Sequence, residues 1–234
     1  MGILVLAYLY VHSIYSLTLQ TDMDADYCFV LEEAKDIVDG NVFLSGWTQT
    51  GISFIMTDLL YFIVAVAVFG FVKKAYIAGI MLMMICSFVS CYLLLDKKDI
   101  NNSIIFVALT TFPTVDALSM QRSHTGGFIW CFIALFIIGI ALKKNSIKIW
   151  QALLIGFLVA MCSMSDMAAL VFGAGAMIIV SIYELIFNKQ TNKWMYVILL
   201  ISSMVGTVLG IIMDKLYYLI GGADKNSFVG NKAI

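Results

Sequence analysis

Three aspartates at alternate positions, in Thr21-Asp22-Met23-Asp24-Ala25-Asp26, are the residues whose type and spacing most suggest chemistry. Carboxylates spaced i, i+2, i+4 converge on one side of an extended or turning chain. One of them can act as a general base while a neighbour binds a metal or raises the base's pKa by like-charge proximity. They open a stretch holding seven of the fifteen acidic residues (Asp22, Asp24, Asp26, Glu32, Glu33, Asp36 and Asp39), opposed there only by Lys35. A calcium loop is a competing reading, since Asp22, Asp24, Asp26 and Glu33 follow EF-hand spacing, but Tyr27 stands where that loop turns on glycine. A solvated, capped surface helix is the third reading.

A second polar island is Gln121-Arg122-Ser123-His124-Thr125-Gly126-Gly127, between two apolar runs. An arginine there can clamp a phosphate bidentately, and a headgroup-contacting loop is the alternative. Asp166, in Ser165-Asp166-Met167, falls where one apolar segment turns into the next, so it is either functional or simply solvated. Cys86, Cys91, Cys131 and Cys162 sit in apolar runs without CxxC spacing and read as small buried hydrophobes. Trp47, Trp130, Trp150 and Trp194 read as interfacial anchors, and Gly206-x-x-x-Gly210 as a helix-packing motif.

The elements that must position these groups follow from composition. Of 234 residues, 62% are apolar and 12% charged, about half the charge of an ordinary soluble domain. A soluble core of this size could not hide that apolar surface, so lipid is the solvent. A net charge of −1 gives no field favouring nucleic acid. Apolar segments near 2–19, 53–72, 75–95, 102–118, 127–142, 147–165, 167–187 and 194–213 predict a single all-α domain over 1–234. It is a polytopic transmembrane bundle of about 7–8 membrane segments, with an acidic loop at 20–52. Within that loop a short amphipathic helix is expected from about Tyr27 to Asp39, capped by Asp26 and ended by Gly40-Asn41. Its Val30, Ala34, Ile37 and Val38 should face the bundle or membrane, and Glu32, Glu33 and Asp36 the wetter side.

Orientation rests on the lysines. If every segment crosses with the N-terminus inside, Lys97, Lys98, Lys143, Lys144, Lys148, Lys189 and Lys193 all fall outside, against the positive-inside bias. Either the N-terminus is outside or segment 53–72 is juxtamembrane or re-entrant. The second layout is favoured because it gathers the acidic loop, Asp116, Arg122, His124, Asp166 and the region after Asp214 on one face.

The run Ala34-Lys35-Asp36-Ile37-Val38-Asp39-Gly40-Asn41, followed by Phe43-Leu44-Ser45-Gly46-Trp47, Thr57-Asp58-Leu59-Leu60-Tyr61-Phe62 and Phe69-Gly70, resembles the N-terminal half of the GT-C type membrane glycosyltransferases. The likeness is greatest to the protein mannosyltransferase and aminoarabinose transferase group. It spans roughly residues 1–190 in layout and about 20–70 in motif. The resemblance implies that Asp24 or Asp26, with Asp22 behind them, is the base that deprotonates an acceptor hydroxyl for attack on a polyprenyl-phosphate sugar at the external face of the cell membrane. It also implies that Asp116 is a further acidic loop residue; together with Asp58 and with Arg122 and His124 of the polar island, Asp116 is expected to bind substrate. A divalent cation, magnesium or manganese, would be held by Asp22, Asp24 and Asp26. Relatives have more crossings, so the chain is expected to be truncated at its C-terminus. A transporter or permease using Asp116 and Asp166, and an inactive fragment with a scaffold role, are the alternatives.

Overall fold

A computed structural model of the chain describes residues 2–20, 25–50, 53–95, 101–105, 124–166, 170–188, 192–221 and 224–226. The architecture is all-α. In chain order it comprises α1 (Gly2–Gln20), α2 (Ala25–Val38), β1 (Thr48–Thr50), α3 (Asp58–Phe69), α4 (Lys73–Leu93), α5 (Thr125–Lys143), α6 (Ile149–Ser165), a π-helical turn (Leu170–Gly175), α7 (Ala176–Phe187), α8 (Lys193–Gly221) and β2 (Asp224–Asn226). Residues 101–105 are also helical.

Among the described residues four helical stretches are long and apolar enough to cross a membrane: Lys73–Leu93, Thr125–Lys143, Leu170–Phe187 and Lys193–Gly221. Asp58–Phe69 and Ile149–Ser165 are apolar but shorter. At 12 residues α3 rises about 18 Å, well short of a hydrocarbon core of about 30 Å. The expected segment at 102–118 lies mostly outside the described residues.

The tightest helix pairing is a backbone-to-backbone seam between α6 and α8. A Cβ at Gly206 would overlap the Gly156 carbonyl oxygen, and one at Gly210 would overlap the Ala160 carbonyl and lie 2.6 Å from the Ser163 Cβ. The Gly206-x-x-x-Gly210 motif is therefore a packing surface. Because 156 meets 206 and 160 meets 210, the two helices run parallel, with α7 returning between them. Lipid tails are as apolar as leucine, so close backbone approach and dispersion supply the association.

Two ends of the bundle follow from this direction. The α5–α6 turn and the start of α8 share one end, where the Asn192 side-chain amide donates to the Asn145 carbonyl at 3.1 Å. The start of α5, the end of α6 and the end of α8 share the other, together with the start of α3 and residues 43–49. There Phe43 packs on Tyr217 with ring centroids 6.1 Å apart. The Ser45 hydroxyl donates to the Gly221 carbonyl. The sequence does not announce the parallel two-stranded pairing of β1 with β2, in register Thr48–Asp224, Gln49–Lys225 and Thr50–Asn226.

The amphipathic helix of the acidic region forms as α2, ended by Gly40 with φ +107°. Two of its side chains differ from expectation. Glu33 is buried, 3% exposed, whereas Val38 is 42% exposed. Val30, Glu33, Ala34 and Ile37 make an i, i+3, i+4, i+7 stripe, so Glu33 lies within the buried face rather than beside it.

Candidate functional site

Asp58, His124 and Asp166 are separated by tens of residues in the sequence, yet they meet where α3, α5 and α6 come together. Asp58 is the first residue of α3 and is 4% exposed. Its Oδ1 accepts the Gly126 N–H at 2.7 Å, and its Oδ2 accepts the His124 N–H at 3.1 Å. The first turn of a helix has backbone N–H groups with no partner inside the helix. One side chain of α3 thus caps α5, where the helix dipole also favours an anion. The fit is close: a Cβ at Gly126 would lie 2.6 Å from the Asp58 nitrogen and 2.8 Å from the Thr57 carbonyl oxygen.

His124 precedes α5 with φ +69° and ψ −1°, a left-handed conformation that turns its side chain away from the helix. Its Nδ1 lies 2.9 Å from Asp166 Oδ1, and its ring packs on Phe54 with centroids 5.5 Å apart. The Asp166 side chain is fully buried while that of His124 is 31% exposed. Fixing Nδ1 against a buried carboxylate leaves Nε2 on the accessible side of the ring. Such an imidazole is oriented to transfer a proton or, when charged, to hold an anion.

The irregular chain before α3 is pinned from both sides. The Met56 N–H donates to the Ser165 hydroxyl at 3.0 Å, and Trp130 Nε1–H donates to the Met56 carbonyl at 2.8 Å. Non-helical backbone near a membrane is tolerated where protein buries it and satisfies its polar groups. Trp130 is consequently an internal strut rather than the expected interfacial anchor. Trp150 and Trp194 are exposed, at 56% and 75%.

Charge at the junction is tuned by burial and by its own members. Burial pushes Asp58 up to about 7, opposed by the Gly126 N–H and reinforced by the negative charge of Asp166. The hydrogen bond that the His124 ring makes to the Asp166 carboxylate raises His124 from the ordinary histidine value, against partial burial. Both groups lie outside the four helices long enough to cross.

A second buried polar chain joins α2, β1 and α8. Gln49 Nε2–H donates to Glu33 Oε1 at 2.7 Å, and the Tyr218 hydroxyl donates to Gln49 Oε1 at 2.9 Å. Burial pushes Glu33 up to about 7, with the Gln49 hydrogen bond acting in the opposite sense. Nearby, Trp47 Nε1–H donates to Asp36 Oδ2 at 2.8 Å, so Trp47 also serves inside the fold rather than at a lipid interface. Gln49 and Tyr218 carry no motif. The stripe through Val30, Glu33, Ala34 and Ile37 is the signal that could have exposed Glu33.

The structure brings Asp58 and His124 together and adds Asp166. Asp22, Asp24, Asp116 and Arg122 lie outside the described residues, as does the side chain of Asp26, whose backbone is in the first turn of α2. Among the described residues no group of three or more His, Cys, Asp or Glu side chains is placed to hold a metal ion. Cys131 and Cys162 are buried, with Sγ atoms 3.8 Å apart. Fold and junction together define a mainly helical chain in which four of the described helices are able to span a membrane, with a His124 imidazole–Asp166 carboxylate pair at one end, beside the buried Asp58 carboxylate that accepts the backbone N–H groups of His124 and Gly126. No family model, curated protein or solved structure matches the chain.

Proposed function

We propose that the chain is an integral-membrane glycosyltransferase of the GT-C type, with about 7–8 membrane segments, acting at the external face of the cell membrane. In this reading Asp24 or Asp26, with Asp22 beside them, removes the proton from an acceptor hydroxyl. The acceptor oxygen attacks the anomeric carbon of a polyprenyl-phosphate sugar. The bond from that carbon to the phosphate oxygen breaks, and the phosphate leaves with the electron pair. Arg122 and His124 would hold its charge, with Asp116 completing the substrate-binding group, and Asp58, buried with both oxygens on backbone N–H groups at the start of α5, would position His124 rather than touch substrate. A magnesium or manganese ion, if used, would take Asp22, Asp24 and Asp26 as ligands.

The observation carrying this reading is the polarity of the bundle. Asp58, His124, Asp166 and the acidic 25–50 region occupy one end, while the turn bearing Lys143, Lys144 and Lys148 occupies the other. Buried ionisable groups that perturb one another cluster at functional sites. The test follows sugar transfer from polyprenyl-phosphate donors in membranes bearing Asp22→Asn, Asp24→Asn or Asp26→Asn. Loss of transfer in at least one is expected, and undiminished transfer in all three overturns the assignment.

The His124–Asp166 pair also favours a second reading, a proton-coupled transporter, because a histidine held against a buried carboxylate can relay protons. That reading expects Asp166→Asn to abolish proton-coupled flux while the three first-loop substitutions leave it intact.

A further inference from the structure

The end of the bundle opposite the junction is basic. Lys143, Lys144 and Lys148 on the α5–α6 turn and Lys193 at the start of α8 are all exposed. The Asn192–Asn145 hydrogen bond ties their two turns together, so the four lysines are carried on one end of the bundle, which forms a basic platform.

The same platform is rimmed by large apolar side chains with nothing packed over them. Ile149 is 81% exposed, Trp150 56% and Trp194 75%. Tryptophan next to lysine at a helix end matches the layering of a bilayer, with rings at headgroup level and ammonium groups just beyond. A free soluble anion would satisfy the lysines and leave the indoles wet. A phospholipid satisfies both, because its phosphate and its chains arrive together.

We propose that this platform binds anionic phospholipid headgroups, with Lys143, Lys144, Lys148 and Lys193 on the phosphates and Trp150 and Trp194 against the glycerol and upper chain region. The proposal shares the basic end of the bundle with the glycosyltransferase reading but uses no residue of the junction or the first loop, so its test stands apart from the sugar-transfer assay. Each lysine near an anionic surface is worth about a fivefold preference. The four together therefore give a large preference for anionic over zwitterionic lipid, falling as salt screens it.

The experiment is native mass spectrometry of the whole chain released from nanodiscs of equimolar phosphatidylglycerol and phosphatidylcholine. Phosphatidylglycerol adducts are expected to dominate. The K143Q/K144Q/K148Q/K193Q variant should lower their ratio to phosphatidylcholine adducts more than tenfold, and the matching four-arginine variant should retain it. A folded glutamine variant, judged by an unchanged elution volume and tryptophan emission, that keeps the parent ratio overturns the proposal. If the glutamine variant fails to fold, the parent decides alone. Adducts in equal ratio, or phosphatidylglycerol adducts stripped by millimolar inorganic phosphate, refute lipid binding at this surface.

Discussion

Replacing Gly126 by alanine sets one methyl group against the backbone that holds the junction. The new Cβ would lie 2.6 Å from the Asp58 nitrogen and 2.8 Å from the Thr57 carbonyl oxygen, and would overlap the Thr57 carbonyl carbon. These are backbone atoms at the start of α3, so α3 and α5 must separate by on the order of 1 Å to restore ordinary contact. The bond from the Gly126 N–H to Asp58, now 2.7 Å, then lengthens beyond useful range. Losing a hydrogen bond to a charged acceptor costs about 1.5–3 kcal/mol, and overpacking adds about 1–3 kcal/mol. A destabilisation of roughly 2.5–6 kcal/mol follows. Gly139 in the same helix is the control, because a Cβ there meets nothing within 4 Å. Gly139→Ala should be neutral or stabilising by about 0.5–1 kcal/mol. Thermal unfolding of the detergent-solubilised chain then places the Gly126→Ala Tm roughly 10 °C below the parent and the Gly139→Ala Tm level with it or slightly above. Equal Tm values for the two variants would show that the junction yields without cost, and the close packing argued for it would be refuted.

Two further outcomes test the electrostatics. Glu33 is raised from its ordinary range to about 7, so the native state binds its proton more tightly than the unfolded chain; its contribution is full below about 4.5 and falls away as pH climbs through about 7. Glu33→Gln should therefore flatten the decline of Tm over that window, and an unchanged slope would exclude Glu33 as its source. Asp166→Asn removes the carboxylate that raises His124, so the His124 titration followed by nitrogen NMR should move to lower pH; a midpoint that stays or rises would contradict the pairing.

The positions of most helices were legible because the apolar runs are long and the breaks between them polar. Gly206 and Gly210 declared a contact surface through spacing alone. Partners were harder to read. Asp58 and His124 could be singled out as polar residues beside apolar runs, but their meeting depends on how α3 and α5 pack, and their backbone contact spans 66 residues. Trp47 and Trp130 misled because an indole at a helix end looks the same whether its N–H faces headgroups or a protein acceptor. Glu33 was placed on the wet side by its charge, although its spacing put it among the buried positions. In lipid the outward face is as apolar as the inward one, so hydropathy gives the length of a helix without giving its rotation.

The link from Tyr218 through Gln49 to Glu33 also has a meaning in time. The first of these residues is made 169 positions after the second. At ribosomal rates of about 5–20 residues per second, Gln49 and Glu33 wait roughly ten to thirty seconds for the helix end that covers them. During that interval a buried-type carboxyl and amide stand open near the membrane surface, and the short strand β1 has an unpaired edge. Closure of this end of the bundle therefore waits for the end of α8, and until then the polar groups of Glu33 and Gln49 lack the partner that covers them in the folded chain.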